Sequence, residues 1–109
     1  MNTLMHSVMR PLRTSMRITE VKVFPARDNG RLKAYATIVF ENCFIVRDLK
    51  VIEGHKGLFV SMPSRRRKDG TFRDIVHPLN SDTRKMIEDF IVNEYNRVAS
   101  MEFEEESSE

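Results

Sequence analysis

The side chains best placed to do chemistry cluster at Arg65-Arg66-Arg67-Lys68, with Arg73 a few residues on and Lys56 one strand earlier. Four adjacent cations repel one another and cannot all be buried, so the segment that carries them faces water or an anion. Phosphate suits such a cluster. Each neutralised phosphate releases condensed counterions, and a guanidinium can hold two phosphate oxygens at once. Ser61, Ser64 and Thr71 add hydroxyls able to reach backbone oxygens of a nucleic acid. With four to five such contacts, log K against log salt would fall with a slope of about −4 on duplex DNA. Composition alone leaves three readings open: DNA or RNA, a merely solvated basic loop, or a membrane surface or other anionic partner.

The remaining reactive side chains do not assemble into a catalytic set. Asp74 and His77 are three residues apart, which puts them on opposite faces of a strand and out of reach of a hydrogen-bonded dyad. His55, between Gly54 and Gly57, reads as a turn residue. The chain carries no Gly-rich phosphate loop, nucleophile elbow, Cys-x-x-Cys or paired metal-ligand spacing. No catalytic residue, metal site or cofactor is therefore expected. Cys43 is the single cysteine, so it has no intramolecular disulfide partner, and a reducing cytoplasmic setting fits it. In the apolar run Cys43-Phe44-Ile45-Val46 it reads as a small buried hydrophobe.

The elements that position the basic cluster must come from one domain, because 109 residues leave no room for a second core. With 40% hydrophobic and 31% charged residues the chain has enough apolar material to fold, and no stretch approaches the roughly 18–20 apolar residues of a membrane span. Its formal charge of +2 conceals a division. Residues 1–78 hold 15 basic against 7 acidic side chains, a net of +8, whereas residues 79–109 hold 3 against 9, a net of −6. A basic body attracts anionic partners; the acidic stretch 102–109 repels them and reads as a solvated, disordered tail. Residues 1–15, without the apolar run of a secretory signal, read as a disordered extension, with Met16 as an alternative start.

Between these ends the pattern is strands first and a helix last. Residues 17–24 alternate, with Val21 and Val23 on one face and Glu20 and Lys22 on the other. Pro25 ends that strand and Asp28-Asn29-Gly30 supplies a reversal. Residues 32–40 and 43–52, broken at Glu41-Asn42, read as a hairpin. The second of them fails to keep one alternation of Phe44, Val46, Leu49 and Ile52, which predicts a bulge near Arg47-Asp48. Leu58, Val60 and Met62 share a face of a fourth strand over 58–62; Ser64 to Gly70 reads as a loop, and 71–76 as a short fifth strand. Asn80 or Ser81 can cap a helix over 82–101, in which Ile87, Phe90, Ile91, Tyr95, Val98 and Met101 recur at three- and four-residue spacing. On its outer side lie i,i+4 pairs such as Lys85 and Asp89. The expected fold is α+β: a small antiparallel sheet of about five strands with a C-terminal amphipathic helix packed on one face. Its unpaired edges favour pairing with a second subunit, so a homodimer is expected. The helix is net acidic on its exposed side, so contact with nucleic acid would come from loop and sheet.

The assembled segments resemble the SpoVG family of bacterial septation regulators. The resemblance is carried by Met16-Arg17-Ile18-Thr19-Glu20-Val21, by Asp48-Leu49-Lys50-Val51-Ile52-Glu53-Gly54, by Gly57 to Ser64 (GLFVSMPS) and by Phe72 to Asn80 (FRDIVHPLN). It runs from Met16 to about Val98 and so covers nearly the whole expected fold. It implies a small α+β dimer acting in septum formation and, in spore formers, in sporulation, with members that bind DNA and RNA. The family's nucleic-acid-binding segment matches the stretch after Met62-Pro63-Ser64, so by resemblance Arg65, Arg66 and Arg73 inherit that role. Members often carry a Lys-Arg pair there; four cations in this chain imply stronger and less selective binding. The alternative function is a septation adaptor that works through protein contacts alone.

Overall fold

Alternation along the first three runs dictates a sheet with one apolar face, and the computed structural model, which describes residues 16–27 and 30–107 with side chains through Met101, has that sheet. Strands β1 (Ile18–Pro25), β2 (Leu32–Phe40), β3 (Phe44–Gly54) and β4 (Gly57–Ser61) are antiparallel neighbours in the order β1-β2-β3-β4. The expected extension at 1–15, and the Asp28-Asn29 part of the expected reversal, lie outside the described residues.

Glu41 and Asn42 turn β2 into β3 with φ of 53° and 58°. Two left-handed residues in succession match the right-handed twist of the flanking strands, and the Cys43 amide closes the turn on the Phe40 carbonyl at 3.0 Å. Cys43 is therefore exposed rather than buried, because it belongs to the turn and not to the strand. Phe44, at the strand's first position, shares the face of Phe40 and Val46 by register but stays exposed at the end of the sheet. The expected bulge is present. Ala36 pairs with Leu49 and Ile38 with Val46, so Thr37 stands opposite both Arg47 and Asp48, and Asp48 takes a φ of 67°. That extra residue is what returns Leu49 and Val51 to the core side after Val46.

Helix α1 (Ser81–Ser107) is longer than expected and runs on into the segment read as an acidic tail. The Asn80 side chain starts it by accepting the Thr83 amide at 2.8 Å, as an N-cap should. Ile87 and Ile91 bury its inner stripe, which lies mainly across β1 and β4. The core they close consists of Val23, Ala34, Ala36, Ile38, Phe40, Val46, Leu49, Val51, Val60 and Met62, and among the described residues no polar or charged side chain is buried.

The main departure from expectation lies between β4 and α1. Residues 64–70 are not simply a loop: β5 (Ser64–Arg66) pairs antiparallel with β6 (Phe72–Asp74) as a separate two-stranded sheet. The fifth run expected at 71–76 is thus real but shorter, and its partner is the basic segment, not the main sheet. Propensity offered no warning, since a run of arginines reads as solvated charge whatever its backbone does.

Candidate nucleic-acid interface

The basic hairpin is built from its tip. Arg67 and Gly70 close the turn, with the Gly70 amide donating to the Arg67 carbonyl at 3.0 Å and the Arg67 amide to the Thr71 carbonyl at 2.7 Å. Gly70 takes a φ of 90°, a conformation that a side chain would strain. Asp69 braces the turn. Its Oδ1 accepts the Thr71 hydroxyl at 2.6 Å and the Thr71 amide at 3.0 Å, and these bonds hold the carboxyl below its usual pKa. At the base, the Ile75 amide donates to the Pro63 carbonyl at 2.8 Å.

Register then decides which cations act together. Ser64 pairs with Asp74, Arg65 with Arg73 and Arg66 with Phe72. Residues directly opposite share a face and successive residues alternate, so Arg65 and Arg73 lie on one face and Arg66 and Phe72 on the other. Arg67, two residues beyond Arg65, follows on the Arg65 side, and Lys68 stands at the tip. Like charges directly opposite are destabilising in a bare hairpin, and an anion between them reverses the sign. A shallow concavity along the hairpin is lined by Arg65, Arg66, Arg67, Lys68, Arg73, Asp74 and Ile75.

Four cations elsewhere among the described residues have a carboxylate partner: Lys22 with Glu20 at 3.5 Å, Lys33 with Glu53 at 3.4 Å, Lys85 with Asp89 at 3.4 Å and Arg97 with Glu94 at 2.6 Å, while others such as Arg17, Arg47 and Lys50 have none. Among the described residues, none of the five hairpin cations has such a carboxylate. They stand exposed on a hairpin against which no other described element packs. Lys56 is not brought to them. It sits in the two-residue turn between Gly54 and Gly57, the whole length of β4 away from Ser64.

The candidates for other chemistry stay apart as well. Among the described residues no three His, Cys, Asp or Glu side chains gather as a metal site, and no helix is long and apolar enough to cross a membrane.

The decisive finding on identity is the match of residues 16–97 to the sequence profile of the SpoVG family, which spans β1 through most of α1 and includes the hairpin. The chain belongs to the SpoVG family. Relatives named "Putative septation protein SpoVG" include one from Bdellovibrio bacteriovorus, 63% identical over 82 residues, covering 75% of each chain. One from Myxococcus xanthus is 56% identical over 82 residues, 75% of this chain and 82% of its own. One from Clostridium perfringens is 46% identical over 90 residues, 83% of this chain and 100% of its own. The family is thus one named for septation, not for an enzymatic activity.

Two features of this SpoVG chain escaped the sequence reading. Phe72, 69% exposed, is an aromatic residue set beside Arg66 on the hairpin. The second is the outer face of the main sheet, where Phe24 and Tyr35 remain uncovered. Among the described residues no helix or further strand packs on either of them.

Proposed function

We propose that this SpoVG chain is a non-enzymatic, nucleic-acid-binding regulator linked to septum formation and, where the organism forms spores, to sporulation. It acts in the cytoplasm as a homodimer and grips DNA or RNA phosphates with the β5–β6 hairpin. The observation that carries the reading is the Arg65–Arg73 cross-strand pair, joined by Arg67 on its face, standing exposed without a carboxylate partner. Guanidiniums set directly opposite one another repel, and an external anion such as a phosphate would relieve that repulsion, which supports the reading.

The dimer rests on two features. Strands β1 and β4 are the edges of the main sheet. The hairpin, too small to be stable alone, carries Phe72 and Ile75 uncovered, and Leu79 beyond it is 91% exposed. These apolar residues also favour the second reading, a septation adaptor that holds a protein partner here. Binding of the purified chain to labelled mixed-sequence DNA and matching RNA across a salt series, beside an Arg65/Arg67/Arg73→Ala variant of unchanged circular dichroism, separates the two. Salt-sensitive binding lost in the variant supports the regulator. A folded dimer that binds neither polymer at low salt overturns it in favour of the adaptor.

A further inference from the structure

Resting on the nucleic-acid reading above, we propose that the open face of the main sheet is a second contact surface, on which Phe24 and Tyr35 stack unpaired bases of a single strand. Phe24 on β1 and Tyr35 on β2 are directly opposite one another in the ladder, and they are 55% and 44% exposed. Each alternates with residues that point to the helix: Val23 before Phe24, Ala34 and Ala36 on either side of Tyr35. The two rings therefore stand side by side on the face that α1 leaves bare, their Cβ atoms about 5 Å apart by the geometry of such pairs. Adjacent exposed aromatic rings on a solvated sheet face are the kind of apolar patch that marks an interaction surface.

The surroundings fit a base attached to a phosphate chain. A depression of about 330 Å³ beside the rings is bordered by Lys22, Val39, Ile45 and Arg47. Lys50 is the neighbour of Tyr35 on β3. Arg47, next after the core residue Val46, faces this depression by simple alternation, and the bulge opposite Thr37 keeps Asp48, which alternation would send to the core, on the same rim. Glu20 and Asp48 also border it, so the rim holds two cations and two carboxylates, with Glu20 engaged by Lys22 at 3.5 Å, and Lys50 beside Tyr35 adds a third cation to the face. Aromatic rings with cations beside them are the elements of single-strand binding, in which the rings stack on bases and the cations follow the backbone. A duplex presents no free base faces to such rings. A second copy of the sheet would bury all five charged side chains against themselves, whereas buried interface cores are depleted of charge. The occupant is therefore a single strand of DNA or RNA, its backbone held by the hairpin and its bases read out by the sheet.

The chain has two tyrosines and no tryptophan, so in a Tyr95→Phe background Tyr35 alone emits. The test titrates that protein with a mixed-sequence 12-nucleotide single strand, its duplex, and an abasic strand of the same length. Tyr35 emission should be quenched by the single strand and not by the abasic one. Phe24→Ala and Phe24→Leu should each weaken single-strand binding about 5- to 100-fold, with duplex binding changed less than about twofold; Tyr35→Phe, which keeps the ring, should bind normally. Phe24→Leu keeps apolar bulk, so its loss of binding cannot be assigned to unfolding. Unchanged single-strand affinity and emission, with binding still lost in Arg65/Arg67/Arg73→Ala, overturns this proposal and leaves the hairpin reading intact. No binding to any of the three oligomers by folded protein removes both. Dissociation of a dimer by Phe24→Leu overturns it too, by assigning the face to a second copy.

Discussion

Dividing the basic hairpin into two faces has a quantitative consequence for salt dependence. Each phosphate contact on duplex DNA adds about 0.9 to the steepness of log K against log salt. Arg65, Arg67 and Arg73 on one face, with Lys68 at the tip, give a slope of about −3.6 per hairpin. Raising salt fourfold, from about 50 to about 200 mM, then weakens binding roughly 150-fold. With Arg65, Arg67 and Arg73 changed to alanine only the Lys68 contact remains, and the same salt step weakens binding only about 3.5-fold. Arg66, across the strand from Phe72 on the other face, contributes little to this slope, so Arg66→Ala shifts it by less than about 0.3 where Arg65→Ala shifts it by about 0.9. If both hairpins of a dimer engage one duplex, all these slopes double and their ratios stand. Fluorescence anisotropy of a labelled duplex at five or six salt concentrations measures them. An Arg66→Ala slope as flat as that of Arg65→Ala would refute the facial reasoning, and a triple variant that keeps the parent slope would remove the hairpin from binding altogether.

Three further outcomes follow from local geometry. Asn80→Ala removes the oxygen that accepts the Thr83 amide and should lower stability by about 1 kcal/mol in denaturant unfolding; no change would mean that water caps the helix equally well. The Thr71 hydroxyl, and then its amide, hold Asp69 below the usual carboxylate pKa, so the tip gains stability that is present above the ordinary Asp value and lost as pH falls through the folded one. Thr71→Val should move the Asp69 carboxyl titration, followed by NMR, upward toward its usual range, and an unmoved titration would contradict the assigned cause. Cys43, exposed in the β2–β3 turn, should react with a thiol reagent in the native protein at the rate of an open thiol, whereas protection until unfolding would restore the buried reading.

How much of this was legible in the sequence depended on whether the signal was local. The four main strands, the Glu41-Asn42 turn, the bulge at Arg47-Asp48 and the Asn80 cap were readable because each rests on neighbouring residues: alternation, left-handed tolerance, a broken period, a short polar side chain. Cys43 was misplaced because hydrophobic character cannot tell the last turn residue from the first strand residue when the two are adjacent. The β5 strand was missed because charge masks strand pattern. Its pairing with Phe72–Asp74, which alone sorts the arginines into faces, is a matter of register. Lys56 was grouped with the cluster by nearness in sequence, and the length of β4 separates it in space. The bare outer face carrying Phe24 and Tyr35 could not be known before it was seen that α1 is the only helix among the described residues and covers the other side.

The central claim, that the β5–β6 hairpin is where this SpoVG chain holds nucleic acid, is tested most directly by following backbone amide resonances during titration with a short mixed-sequence oligonucleotide at low salt. The account predicts shifts concentrated on Ser64 to Ile75, abolished in Arg65/Arg67/Arg73→Ala. Shifts confined to helix α1, or an unchanged spectrum from a folded protein, would contradict it.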